Sequence, residues 1–320
     1  MCRSQRATPK DPTGAKMTAR ATSLDEFKAS LTGMVHVEEI AQALAFKPRP
    51  TDVIIAPFGK CGSTWLQQIF HTLRTGGSED FDDISRVVPW IETSAALGIA
   101  LDAEHVANPR GYKSHLSREL VPKGCRYIVS LRDPCDALVS AYHFMTGWLI
   151  EPGAVGIDDF ALGHFGPQAE DPFRQSYWHH LVSWWNVRAQ PEVLVLSYED
   201  MLRRPEQNVR RVAEHCQIPL GDDLLALTMD RASLGYMKAH QDKFDDALMR
   251  GLSESRLGLP PGSDSSKVRE GKSGTHKHEL SGAVIEAMDA KWRELVEPEL
   301  GFANYSVLEA ALASELAATD

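Results

Sequence analysis

Long apolar runs are missing from this chain. No stretch approaches the roughly 20 consecutive apolar residues of a membrane span, and the N-terminus has no apolar signal-peptide core, so a protein of the cytoplasm is expected. Cysteine is scarce: Cys2, Cys61, Cys125, Cys135 and Cys216 are odd in number, scattered and free of C-x-x-C spacing. Neither a disulfide framework nor a zinc site is indicated, and a reducing compartment fits. Positive charge is in deficit, with 34 Lys and Arg against 44 Asp and Glu, a net charge of −10. That balance excludes a general nucleic-acid or polyanion binder, so any anionic ligand has to meet a local basic pocket. The 12 histidines show no metal-ligand spacing, and no metal is expected. Internal repeats and low-complexity blocks are also absent.

What remains is the composition of an ordinary globular protein: 320 residues, 43% hydrophobic and 24% charged, enough for one large α/β domain with a full core. Residues 1–22 carry scattered Arg and Lys among Pro, Thr, Ser and Gly, and read as a disordered tail ahead of a domain over 23–320. Leu24 to Ala45 supports one or two helices. The stretch Thr51 to Arg74 then reads as a buried strand (Asp52 to Ala56), a Gly-containing loop (Pro57 to Ser63) and a helix from about Thr64. Unpaired amides in the loop, the helix dipole and Lys60 together make an anion site suited to a phosphate.

A second such unit follows. Tyr127 to Leu131 is a near-continuous apolar run, the mark of a strand buried on both faces of a parallel sheet, and Arg132 stands at its C-terminal end before a helix. Ligands of open α/β sheets bind at strand C-termini, which points Arg132 into the same crevice as Lys60. Glu151 to Pro172 reads as a mobile loop, and Phe173 to Arg188 as a helix with an aromatic core stripe. Val193 to Asp200 reads as a strand and turn, Pro205 to Cys216 as an amphipathic helix, and Ser281 to Leu295 as a further helix. Lys238 to Gly274 is polar and weakly periodic and ends in the basic string KVREGKSG, the profile of a lid or binding loop.

Four separated motifs, PFGKCGSTW, YKSHL, SLRDPCDALVSAYHF and VREGKSG, occur in that order, with SYEDM between the last two. In this the chain resembles the cytosolic-type sulfotransferases, which use 3′-phosphoadenosine 5′-phosphosulfate (PAPS), over roughly residues 45–300. The resemblance implies a central parallel sheet flanked by helices, in the P-loop-kinase-like sulfotransferase fold. It implies that Lys60 meets the sulfuryl-bridging oxygen and that the loop Cys61, Gly62, Ser63 and Thr64 holds the 5′-phosphate. Trp65 would pack on the adenine, with Tyr198 hydrogen-bonding nearby. Arg132 and Ser140 would hold the 3′-phosphate, and Arg269, Glu270 and Gly271, with the backbone of Lys272 to Gly274, would close over it. His115 matches the catalytic base, and Lys113 would stabilise charge on the sulfuryl oxygens. Phe58, Trp90, Tyr142, Phe144 and Trp148 would line the acceptor pocket, an aromatic wall suited to a small, largely apolar alcohol, phenol or lipid.

The match is incomplete in places. Glu270 stands where the family has a cation, Thr275-His276 where it has Asp-Trp, and Leu234 where an aromatic often covers the adenine. Ser281-Gly282 replace the centre of the family's dimer motif, which leaves the oligomeric state open. Cys61 replaces a serine. A thiol at a helix N-terminus beside Lys60 is expected to have a depressed pKa and to be redox-sensitive, although simple isosteric replacement is the preferred reading, since no resolving cysteine is near in sequence. Two rival classes are weighed. A P-loop small-molecule kinase using ATP and Mg²⁺ would place its lysine after the last glycine, whereas Lys60 precedes Gly62, and it would leave Arg132 and Ser140 without a role. A catalytically silent nucleotide binder would have no use for His115 and Lys113.

Overall fold

The computed structural model describes residues 19–165, 173, 175–262 and 265–318. Its centre is a four-stranded parallel sheet of β1 (Val53–Ile55), β2 (Gly111–Lys113), β3 (Arg126–Leu131) and β4 (Val193–Ser197), in the spatial order β2-β1-β3-β4. The register sets Val53 opposite Gly111 on one side and Arg126 on the other. The sheet is buried on both faces, which is why its strands read as unbroken apolar runs. Ile54, Tyr127 and Val129 join one core cluster, while Val53, Ile55 and Ile128 join the other. A fully buried residue of this size contributes about 1.5–3 kcal/mol, so the alternation commits both faces to helical cover.

The helices that matter for the site are α1 (Leu24–Met34), α2 (Val37–Leu44), α3 (Ser63–Thr75), α4 (Ile84–Val87), α5 (Ile91–Leu97) and α6 (Pro134–Met145). Gly111 lets α3 lie close on β2: a Cβ there would sit 2.1 Å from the Phe70 ring. At the opposite end of the strands, Arg110 pairs with Asp52 at 2.6 Å, both fully buried, and ties the start of β2 to that of β1. Because strand order doubles back at β1, the crevice at the sheet's C-terminal edge opens beside it.

Several expectations need correction. Residues 1–18 of the expected tail lie outside the described residues, but Ala21 is fully buried, its N–H bonded to the Leu149 carbonyl, so the fold already includes residues 20–22. Of the expected loop 151–172, residues 166–172 lie outside the described residues, while Ile157–Phe160 is helical and Ala161–Phe165 a π-turn. The expected turn at Tyr198 to Asp200 is the start of a helix, Tyr198–Arg203, capped by Ser197. The polar segment after Lys238 contains a full helix, Ala247–Leu257. The apolar stretch from Val87 to Glu92 comprises the end of α4, a Trp90–Lys113 bridge and the start of α5. Among the described residues no helix is long and apolar enough to cross a membrane.

Candidate active site

The β1–α3 loop is built for an anion. Lys60 and Gly62 hold φ of 68° and 93°, which turns the chain so that Ser63 opens α3 with its first amides unpaired inside the helix. A Cβ on Gly62 would meet the Tyr198 ring at 3.1 Å. Arg132, at the end of β3, donates to the Lys60 carbonyl at 2.8 Å and to the Lys272 carbonyl at 3.1 Å, with its guanidinium 4.3 Å from the Tyr198 ring centroid. Trp65 packs edge-on against that same Tyr198 ring, 5.7 Å between centroids. The buried indole N–H of Trp65 and Nε of Arg132 have no protein partner, which leaves donors for a ligand beside the loop. The Lys60 ammonium lies 4.1 Å from the Phe144 ring centroid. Burial, then Lys267 and Arg132, push its pKa well below that of an ordinary lysine.

Across the crevice stand Lys113, the last residue of β2, and His115. His115 receives support on both sides. Its backbone N–H donates to Glu92 Oε1 at 2.6 Å, and its ring Nδ1 lies 2.7 Å from the Pro57 carbonyl. A carbonyl only accepts, so Nδ1 carries the proton and Nε2 keeps its lone pair. Burial, with Lys113 next, holds the ring pKa well below the usual histidine value, and the imidazole is neutral at pH 7. Trp90 packs edge-on against the His115 ring and lies 4.0 Å under the Lys113 ammonium. Burial, followed by Lys267, brings Lys113 down to about 8.

A third wall comes from residues 265–276, fixed to the N-terminus of α6 by Asp136. This buried carboxylate accepts from Ser273 Oγ (2.9 Å), Gly274 N (2.5 Å), His276 N (3.1 Å) and the His276 ring (2.9 Å). The departure from the family at Thr275-His276 therefore has a job, since the His276 ring joins the tie. Asp133, Asp136 and His276 are also the one group among the described residues with metal-like proximity, but the Asp136 oxygens are already taken by these donors. Arg269 pairs with Glu270 at 3.3 Å and Glu279 at 3.5 Å, and Leu234 lies against Gly271.

These walls enclose one cavity of about 1180 Å³. Lys60, Gly62, Ser63, Thr64 and Trp65 line its donor-loop end, with Arg132, Ser140, Tyr198 and Leu234 beside them. Arg269, Glu270, Gly271 and Lys272 line the same end from the third wall. Lys113, His115, Phe58, Trp90, Phe144 and Trp148 line the other part, which continues between Leu31, Met34, Val35 and Ile40 of α1 and α2. Two residues do not fit the expectations. Tyr142 is turned away: its hydroxyl donates to the Val155 carbonyl and its ring packs on Phe160. The Cys61 side chain is buried outside the cavity lining, and desolvation pushes the thiol up to about 12, the reverse of a reactive thiolate.

Sequence reading missed Glu92, Asp246 and Lys267, all cavity-lining. Lys267 stood in a basic string already singled out. Nothing along the sequence marks its contact with Asp246, made across 20 residues of polar chain.

The sulfotransferase domain family matches residues 50–298 of the chain. Human sulfotransferase 1C2 is 25% identical over 291 residues, which is 86% of this chain and 93% of that protein. Dog sulfotransferase 1B1 is 28% identical over 261 residues, 78% of this chain and 84% of its own. Among solved structures, retinol dehydratase in complex with androsterone and the inactive cofactor PAP superposes with a TM-score of 0.65 at 17% identity, covering 82% of this chain and 85% of that one. Mouse sulfotransferase SULT7A1 complexed with PAP gives a TM-score of 0.64 at 19% identity over 88% of this chain and 95% of that one. With 249 contiguous residues inside the family's domain, this chain belongs to the sulfotransferases, the PAPS-dependent enzymes of cytosolic type.

Proposed function

We propose that this protein transfers the sulfuryl group of PAPS to the hydroxyl of a small, largely apolar alcohol, phenol or lipid, in the cytoplasm, with His115 as general base. The observation that carries the reading is the state of His115. It is a neutral imidazole whose Nδ1–H is held by the Pro57 carbonyl, so Nε2 is ready to take a proton within a cavity that also contains the anion loop. His115 Nε2 accepts the hydroxyl proton as the acceptor oxygen bonds to sulfur in line. The bond from sulfur to the bridging oxygen breaks with its electron pair on the 5′-phosphate, where Lys60 and the first amides of α3 offset the charge. Lys113 faces the sulfuryl oxygens. Arg132, Ser140 and Arg269 hold the 3′-phosphate, Trp65 packs on the adenine and Tyr198 hydrogen-bonds beside it.

Both substrates have room. A single-ligand pocket is commonly about 300–1,000 Å³, and this cavity exceeds that. Its second part is apolar, walled by Phe58, Trp90, Phe144 and Trp148, which favours a hydrocarbon-rich acceptor over a sugar chain. Androsterone and retinol, bound in the retinol dehydratase structures, are acceptor-sized apolar alcohols of this kind. The scheme asks for no metal ion.

The test is incubation with radiolabelled PAPS and a panel of phenols, sterols and long-chain alcohols, with and without chelator. Transfer should be lost in His115→Ala while 3′,5′-bisphosphoadenosine still binds. Transfer of phosphate from ATP that requires Mg²⁺ would overturn the proposal.

A further inference from the structure

Two consecutive aspartates just ahead of the helix Ala247–Leu257 grip the chain at Ser266-Lys267. Asp245 Oδ1 accepts from Ser266 Oγ at 3.0 Å and from the Lys267 backbone N–H at 2.8 Å, which fixes the backbone. Arg250 adds a bond to the Ser265 carbonyl at 2.8 Å. Asp246 fixes the side chain, its carboxylate in direct contact with the Lys267 ammonium. Asp246 occupies the N-cap position of that helix, where an aspartate ordinarily caps a backbone amide, yet its side chain makes no capping bond. It is turned instead to Lys267 and to Ser85 Oγ at 3.2 Å, and it adopts a left-handed φ of 56°. Ser85 is in turn held by Asp83, which also accepts from Leu248 N. Asp246 and Lys267 are almost wholly buried and line the cavity with Lys60, Lys113 and His115. The Lys267 and Lys60 ammoniums lie 5.9 and 4.1 Å from the centroid of one ring, Phe144.

So elaborate a hold on one lysine, at the expense of a helix cap, points to a charge placed for use. We propose that Lys267 is a third lysine of the transfer centre, reaching the sulfuryl group opposite Lys60 and Lys113, and that Asp246 is its positioning residue. The inference rests on the sulfuryl-transfer reading above and deepens it. As the acceptor oxygen bonds to sulfur and the bridging bond breaks, the proton passes to His115 and the electron pair to the departing phosphate. Lys267 adds positive charge beside the negative charge carried by the sulfuryl oxygens and the bridge, and it undergoes no net change. Its field is already felt across the site, where it is the first charge after burial to depress both Lys60 and Lys113. Asp246 prevents a third unpaired ammonium in one buried space and keeps Lys267 on the cavity wall.

The experiment compares Lys267→Met, Asp246→Asn and the double variant with wild type, using PAPS and whichever acceptor wild type sulfates, alongside calorimetric titration of 3′,5′-bisphosphoadenosine. Lys267→Met should lower kcat by about a hundredfold to a thousandfold, the scale of losing one preorganised transition-state contact, while bisphosphate affinity stays within about twofold. Asp246→Asn should lower kcat less. The double variant removes both members of the buried pair, so it folds even where a lone charge would not, and it should remain as slow as Lys267→Met. The proposal is overturned if the double variant recovers wild-type kcat, if Lys267→Met keeps kcat within about threefold, or if lost activity tracks lost bisphosphate binding. Absence of transfer in wild type would instead strike the function reading itself.

Discussion

Asp136→Asn tests whether the third wall is closed over the donor site by one carboxylate. Asp136 faces five donors: Ser273 Oγ and Gly274 N on one oxygen, and Thr275 Oγ1, the His276 N–H and the His276 ring on the other. Asparagine leaves one acceptor oxygen and turns an NH₂ group toward two of these donors. A hydrogen bond to a charged group is worth about 1.5–3 kcal/mol, and Ser273 can fall back on Glu199 at 3.3 Å, so the closed segment loses about 2–4 kcal/mol. Arg132 donates to the Lys272 carbonyl in the same segment, and the loss therefore reaches the donor site. Carried wholly into affinity, it weakens 3′,5′-bisphosphoadenosine binding by about 30- to 700-fold, measured by calorimetric titration. The His276 pKa is raised chiefly by its bond to Asp136. The pair's contribution is thus fully present below the unfolded histidine value and is lost as pH rises through the folded one. Wild-type affinity should fall over that window, and Asp136→Asn should show no such step. A dissociation constant within about threefold of wild type, with the pH step intact, would refute the reasoning.

Three further outcomes are expected. Gly62→Ala forces a Cβ into a left-handed backbone and toward the Tyr198 ring, so denaturant unfolding should show a loss of about 1–2 kcal/mol, together with weaker bisphosphate binding; unchanged values in both would count against the loop geometry. His115 protonates only as pH falls through a folded pKa well below 6.5, so kcat/KM should show no acid limb at pH 6.5, and a limb there would contradict the buried neutral ring. With its thiol at about 12, Cys61 is thiolate to only about one part in ten thousand at pH 8, against about a quarter for an exposed cysteine, so iodoacetamide should leave it unlabelled on the timescale that modifies a small thiol. Labelling at the small-thiol rate would show that the site opens.

How much of this was legible depends on which physics sets each feature. β1, β3 and β4 could be read because a parallel sheet buried on both faces requires consecutive apolar residues, and α3 because its loop needs glycine at Gly62. β2 is as short as β1 but reads Gly-Tyr-Lys, so it has no apolar run to mark it. Tyr142 was misplaced although the sequence held the signal: Ser140, Ala141, Phe144 and Met145 of α6 line the cavity at helical spacing of three and four, and residue 142 falls off that face. For Cys61 the preferred reading of a simple isosteric replacement agrees with its raised pKa, and the reactive-thiol alternative fails because helix position and a neighbouring lysine are visible in sequence, whereas the desolvation that outweighs them is not.

Charge shows the same division at larger scale. The net charge of −10 correctly pointed to a local basic pocket, but composition could not say how crowded that pocket would be. Lys60, Lys113, Lys267 and Arg132 all line one cavity, and Asp246 is the carboxylate in direct contact with one of these lysines. Four buried cations repel one another and are stripped of water, which is why Lys60 and Lys113 are pushed down. A site in that condition is destabilised without an anion and relieved by one carrying several negative charges. The family resemblance implies the individual contacts to the donor. The fold adds the convergence, and with it a reason for the donor to be a polyanion.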